Sequence, residues 1–190
     1  MNKIGRYIYG TEEFVRKVFY KIFRESVIKS SLGNCGKNVH IAEKSDIKGI
    51  GNISIGDDVA IGPHALLWTT RANIIIKEKV VIGPRLSIIT GDHKMNAVGK
   101  YMADVTDEEK DEENDQDVII EKDFWIGANV TILKGVTVAE GCVIGGGCVI
   151  TKSTHPYGIY VGVPGRRVSE RFTNEELEDH INILQEKSKW

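Results

Sequence analysis

Residues 118–154, VIIEKDFWIGANVTILKGVTVAEGCVIGGGCVITKST, decide the fold. Every sixth residue from Ile120 is aliphatic: Ile120, Ile126, Ile132, Val138, Ile144 and Ile150. Four places after each stands Phe124, Val130, Val136, Cys142, Cys148 or Thr154, mostly small or β-branched. A six-residue period marks a parallel β-helix, in which each unit supplies one short strand and one bend. The aliphatic side chain enters the column and its smaller companion fills the space beside the bend.

Upstream, the period persists with interruptions. Ile41 and Ile47 stand six apart before Gly49-Ile50-Gly51 breaks the count, which resumes at Ile55, Ile61 and Leu67. A shift of three around 71–73 makes a wider corner, and the register restarts at Ile76, Ile82 and Ile88. Three sides to a coil give about five coils. From 92 to 117, DHKMNAVGKYMADVTDEEKDEENDQD, there is no register at all. Long excursions from a compact domain tend to carry function. The first few residues are read that way, and the acid-rich part, 106–117, as a solvated run.

The flanks read as helical. A helix is expected over about 11–29, capped by Thr11 with Glu12 and Glu13 in its first turn. Phe14, Val15, Val18, Phe19, Ile22 and Phe23 form an apolar stripe, read as closing the open strand edges at one end of the column. A helix lying on a membrane surface, with Lys17, Lys21, Arg24 and Lys29 on its polar side, is the alternative. A last strand is expected over 159–163 before Pro164. Thr173 and Glu176 then have capping-box spacing for a C-terminal helix over about 174–187, with Leu177, Ile181 and Leu184 on one side. The expected division is a helical cap over 1–35, a β-helix over 36–168 with its loop at 92–117, and a C-terminal helix over 169–190.

Composition narrows the function classes. The 190 residues carry a net charge of −2 and a pI near 6.2, and no Lys/Arg stripe runs along the chain, which argues against nucleic-acid binding. No apolar run approaches a membrane span, and the N-terminus lacks a signal-peptide core. Three cysteines give no disulfide framework, and Cys142 and Cys148, in matching repeat slots, read as small core residues. A reduced, cytoplasmic protein is expected.

FWIGANVTILKGVTVAEGCVIGGGCVITKSTHPYGIYVGVPGRRV resembles the C-terminal half of the hexapeptide-repeat acyltransferases, especially those acetylating sugar hydroxyls: galactoside, maltose and capsule-polysaccharide acetyltransferases. The likeness runs without a gap over about 119–168 and more loosely from Ile41. It implies an all-β fold, a left-handed parallel β-helix with short terminal helices and one long loop, assembled as a homotrimer. The left hand comes from the resemblance, since general topology rules favour right-handed crossovers. It also implies transfer of an acetyl group from acetyl-CoA to a hydroxyl of a sugar or glycan intermediate, with no metal. The position matching the family's general base is His93, in Thr90-Gly91-Asp92-His93 where the loop begins. Imidazole exchanges a proton near neutral pH, and a loop gives access to a groove. The oxyanion would need a nearby donor, expected to be a backbone N–H.

For the acyl donor the resemblance implies a groove between neighbouring columns. Trp125 would wall it, Ala128 and Gly146 would let the pantetheine arm approach the backbone, and Thr151 and Lys152 would lie near the adenine end. Arg166 and Arg167 follow Val163-Pro164-Gly165 and could pair with phosphates. His64, after Pro63, falls near where the family places acceptor-binding groups, although some members carry asparagine there; a solvent-facing turn residue is the alternative. His40, His155 and His180 read as surface or turn positions.

Other readings remain. A zinc carbonic anhydrase on the same column needs three converging histidines, and His93 has no second histidine near it. A serine acetyltransferase would carry a large helical domain before the column. An antibiotic or amine acceptor, and a non-catalytic assembly module, stay open as alternatives.

Overall fold

A computed structural model describes residues 3–187. Strands of two to four residues follow one another around a triangular column, a left-handed parallel β-helix. The first face stacks Asn34–Cys35, Ile53–Ile55, Ile74–Ile76, Val118–Ile120 and Thr137–Val138. The second stacks His40–Ile41, Ala60–Ile61, Val80–Ile82, Phe124–Ile126, Val143–Ile144 and Gly158–Val161. The third stacks Asp46–Lys48, Leu66–Trp68, Ser87–Ile89, Thr131–Leu133 and Val149–Ile150.

Register carries the core. Ile132 stands between Ile88 and Ile150, and Ile126 between Ile82 and Ile144, each in line across neighbouring coils. All six are buried, so each removes an aliphatic side chain from water at about 2 kcal/mol. Cys142 and Cys148 are fully buried among them, as their repeat slots imply. Backbone N–H groups bond to the adjoining coil, for example Thr131 N–H to Cys148 O at 2.9 Å. At the corner between the second and third faces, Lys44, His64, Arg85 and Asn129 all hold positive φ. The broken count at 49–51 becomes a tight 3₁₀ turn, and a Cβ at Gly49 would collide with the Thr69 carbonyl.

The N-terminal helix differs from the sequence reading. It runs as Lys3–Phe19, a π-helical turn Tyr20–Glu25, and Ser26–Ser31. Thr11 is no cap: its hydroxyl donates to Tyr7 O at 2.9 Å within the helix. The apolar stripe does not close the column, since Phe14, Val15, Phe19 and Ile22 are all more than half exposed. Ile28 and Leu32 pack on the core instead. The π turn is the physical cause. Its wider turn rotates everything beyond it by roughly 100° relative to a continued α-helix, so residues after Glu25 swing toward the column while those before Tyr20 look away.

Buried Glu25 fastens this junction. Its Oε1 accepts from Ile41 N–H at 3.0 Å and lies 2.9 Å from Lys29 Nζ and 3.0 Å from His40 Nδ1. Burial pushes the carboxyl up, but Lys29, the Ile41 amide and His40 together outweigh it and leave the group below its ordinary value. At the other end, the expected strand ends at Val161, and an antiparallel strand, Arg166–Glu170, pairs back onto Gly158–Val161. Thr173 and Glu176 form the anticipated capping box before Asn174–Lys187. His180, read as a surface position, is only partly exposed: its ring centre lies 4.7 Å from that of Phe172, beside Tyr157.

Candidate active site

The 92–117 loop leaves the third face after Ser87–Ile89 and returns at Val118–Ile120 on the first. Its two ends are stitched together. Asp92 N–H donates to Asn114 O at 2.9 Å, and Gln116 N–H to Thr90 O at 2.9 Å. Asn114 Nδ2 donates to the Asp92 carboxylate at 2.9 Å, and Lys134 from the next coil reaches the same carboxylate at 3.0 Å. Burial raises the Asp92 carboxyl, and Asn114 and Lys134 together pull it below its ordinary value.

The acid-rich part is mostly exposed, as its reading as a solvated run implies, but it is folded. Short 3₁₀ turns at Asp107–Glu109 and Glu112–Asn114 each carry a capping box. Lysines answer the acids: Lys94 with Asp111 at 3.0 Å, Lys110 with Asp107 at 2.8 Å, and Lys100 with Glu109. Arg71, from the wide corner one coil below, donates to Asp107 O at 2.7 Å and lies 3.4 Å from Asp115. The loop's own basic residues and Arg71 of the column thus pair with Asp107, Glu109, Asp111 and Asp115, acids that composition alone leaves repelling their neighbours.

A cavity of about 530 Å³ opens at the root of this loop. His93 lines it with Lys48, Trp68, Asp92, Lys110 and Asp115. Trp68 is partly exposed with Lys48 Nζ 5.5 Å from its ring centre. Below them, buried Thr90 donates its hydroxyl to Thr69 Oγ1 at 2.9 Å, and Thr69 donates onward to Ala72 O. A Cβ at Gly91 would meet the Asp115 carboxylate, which would have to shift to make room. His93 is exposed, and among the described residues its ring has no hydrogen-bond partner. Lys110, then Arg71 and His93, hold the Asp107 carboxyl below its usual range.

The remaining candidates form a second group. Ala128 and Gly146 are neighbours one coil apart: Gly147 N–H donates to Ala128 O at 2.8 Å, and a Cβ at Gly146 would lie 3.2 Å from that oxygen. Their corner presents bare backbone, which suits an extended amide-bearing arm. Trp125, on the second face just before this corner, is half exposed in a separate depression of about 380 Å³ with Val81, Asp123 and Arg171. Thr151 and Lys152 are exposed at the end of the third face, following Ile150 in line with Ile132. Arg166 and Arg167 lie on the terminal antiparallel strand, three strands beyond that of Trp125, and Arg167 pairs with Glu170. His64 holds a corner of the second coil at φ 61° and does not line the His93 cavity. One protomer therefore does not bring His93 and the Trp125–Ala128–Gly146 group into one cavity.

Sequence reasoning missed Lys48, Trp68, Thr69, Lys110 and Asp115. Two of them carried a signal: Trp68 and Ile89 share register, so aligning the coils sets Thr69 beneath Thr90. Lys48 shares that register with Trp68, whereas Lys110 and Asp115 come from the loop, which has no period.

A parallel column of six-residue repeats, broken by one ordered loop that carries a histidine over a cleft, defines the class. The family described as Bacterial transferase hexapeptide (six repeats) matches residues 117–152. A probable macrolide acetyltransferase from Lysinibacillus sphaericus is 40% identical over 62 residues, 33% of this chain and 34% of that protein. The chain thus spans about a third of the length of the curated relative. A hexapeptide-repeat acetyltransferase of Vibrio cholerae, complexed with acetyl-CoA, superposes with a TM-score of 0.69 at 25% identity, over 79% of this chain and 77% of that one. A maltose O-acetyltransferase from Clostridium difficile gives 0.63 at 24% identity, over 79% and 75%. By repeat and by fold, the chain is similar to the hexapeptide-repeat acetyltransferases. Among the described residues, no group of three or more His, Cys, Asp or Glu is placed to hold a metal ion, and no helix is long and apolar enough to cross a membrane.

Proposed function

We propose that this chain is an acetyl-CoA-dependent O-acetyltransferase acting on a hydroxyl of a sugar or glycan intermediate in the cytoplasm. The cavity at the loop root carries the reading. An indole ring partly open to it offers a flat surface for the C–H face of a sugar, and Lys48, Asp92, Lys110 and Asp115 offer donors and acceptors around it. The bare corner at Ala128 and Gly146 fits a pantetheine arm, with Trp125 beside it and Thr151, Lys152, Arg166 and Arg167 beyond. Bound there, acetyl-CoA supplies the acetyl thioester. His93 takes the proton of the acceptor hydroxyl as its oxygen adds to the thioester carbonyl, and returns a proton to the departing sulfur. His64 stands as a lesser acceptor-binding candidate.

Because the two groups occupy different sides of one column, the reading requires a second copy, whose Ala128–Gly146 corner meets this copy's His93. A homotrimer supplies three such meetings. The likeness to a probable macrolide acetyltransferase favours a second reading, in which the acceptor is an antibiotic hydroxyl. Thiol release from acetyl-CoA, measured with sugars, nucleotide sugars, serine, macrolides and chloramphenicol, separates the two. Turnover with sugars supports the first, and turnover confined to a drug or an amine overturns it. A monomer in sedimentation equilibrium would overturn the shared site.

A further inference from the structure

The N-terminal helix turns its polar side to the column. Arg16 pairs with Glu43, and the Tyr20 hydroxyl donates to Ile41 O and Ala42 O, each at 3.1 Å. On the opposite side Tyr7, Ile8, Phe14, Val15, Phe19 and Ile22 are each more than half exposed. A helix that served only to cover the column would have the reverse sidedness. The stripe also cannot be surplus core, because the π turn already delivers Ile28 and Leu32 to the column.

We propose that this face seats on an anionic lipid bilayer, with the helix lying in the plane of the surface. Three observations select that occupant. First, residues 3–31 hold seven Lys or Arg against three Glu, a charge of +4 in a chain whose net charge is −2. The positive charge is concentrated on the element that carries the apolar stripe. Second, Lys17, Lys21 and Arg24 lie outside the stripe and are exposed. Their long stems can lie along the apolar boundary while their charges reach lipid headgroups. Third, among the described residues no helix is long and apolar enough to cross a membrane, whereas an exposed stripe along a helix of roughly 40 Å suits shallow burial at the acyl boundary. A second copy on the same face would bring two positively charged helices together, which charge opposes and an anionic surface rewards. The inference does not depend on the acyl-transfer reading.

Cosedimentation of the full chain with vesicles tests it, using phosphatidylcholine alone and phosphatidylcholine mixed with phosphatidylglycerol. The wild type sediments with the mixed vesicles and much less with phosphatidylcholine. The double variant Phe19→Glu/Ile22→Glu loses on the order of tenfold or more in partitioning. Lys21→Glu/Arg24→Glu loses the preference for the anionic mixture. Both pairs are exposed, so circular dichroism and the thermal midpoint remain those of the wild type. A wild type that stays in the supernatant with mixed vesicles overturns the proposal, as does binding unchanged in Phe19→Glu/Ile22→Glu. A wild-type oligomer that dissociates in that variant, with no vesicle binding by either protein, assigns the face to a second copy and overturns it too.

Discussion

Asn114→Ala is expected to unlatch the loop that carries His93 while leaving the column intact. The buried Asn114 amide makes two hydrogen bonds: Nδ2 donates to the Asp92 carboxylate at 2.9 Å, and Oδ1 accepts from Asp111 N–H at 2.9 Å. The first, to a charged acceptor, contributes about 1.5–3 kcal/mol and the second about 0.5–1.5 kcal/mol. Asp92 is exposed and keeps Lys134, so water recovers part of the loss and the net effect is about 2 kcal/mol. That corresponds to a loop-open population roughly thirtyfold larger. Native-state hydrogen exchange reads it directly. The Asp92 and Gln116 amides, bonded to Asn114 O and Thr90 O, exchange faster by that factor, while Thr131 in the column does not change. The pH dependence has a definite sign. Because Asn114 and Lys134 hold the Asp92 carboxyl low against the partial desolvation it meets at the loop root, its contribution is complete above the ordinary aspartate range and disappears as pH falls through the depressed value. Asn114→Ala weakens that acid sensitivity. Unchanged protection at Asp92 and Gln116, or equal loss of protection at Thr131, would refute the latch.

Other consequences follow from the same geometry. His93→Ala lowers kcat by about 10²–10⁴-fold in the thiol-release assay with an unchanged thermal midpoint, and full turnover in that variant sinks the general-base role. Gly146→Val places branches over the bare corner, where even a Cβ lies 3.2 Å from Ala128 O; the KM for acetyl-CoA rises by an order of magnitude or more while kcat changes little, and an unaltered KM moves the donor arm elsewhere. Ile132→Ala empties a slot between Ile88 and Ile150 and costs about 2–5 kcal/mol, visible as a lower urea midpoint.

Much of the architecture is local and therefore legible in the chain. A hexapeptide unit buries its aliphatic residue in the same place each time, so Ile120 to Ile150 report the column before any coordinates. Thr173 and Glu176 cap a helix through contacts three residues apart, and Cys142 and Cys148 inherit their burial from their slots. The candidate site is less legible. His93 is marked by the resemblance, at the place where the period stops, but its cavity draws Lys48, Trp68 and Asp115 from three different turns of the chain.

The hexapeptide period by itself determined the column, its register and the point where the loop departs, because periodicity records which side chains leave water. Tertiary structure alone decided three matters. It ordered the acid-rich loop, through Arg71 and Lys134 reaching in from the coils on either side. It set His93 and the Trp125–Ala128–Gly146 group on different sides of the protomer, since corners of the same column face different directions. It also turned the N-terminal stripe away from the core, because one π turn between Phe19 and Ser26 changes the helical phase, and a pattern counted at a constant 3.6 residues per turn does not register that change.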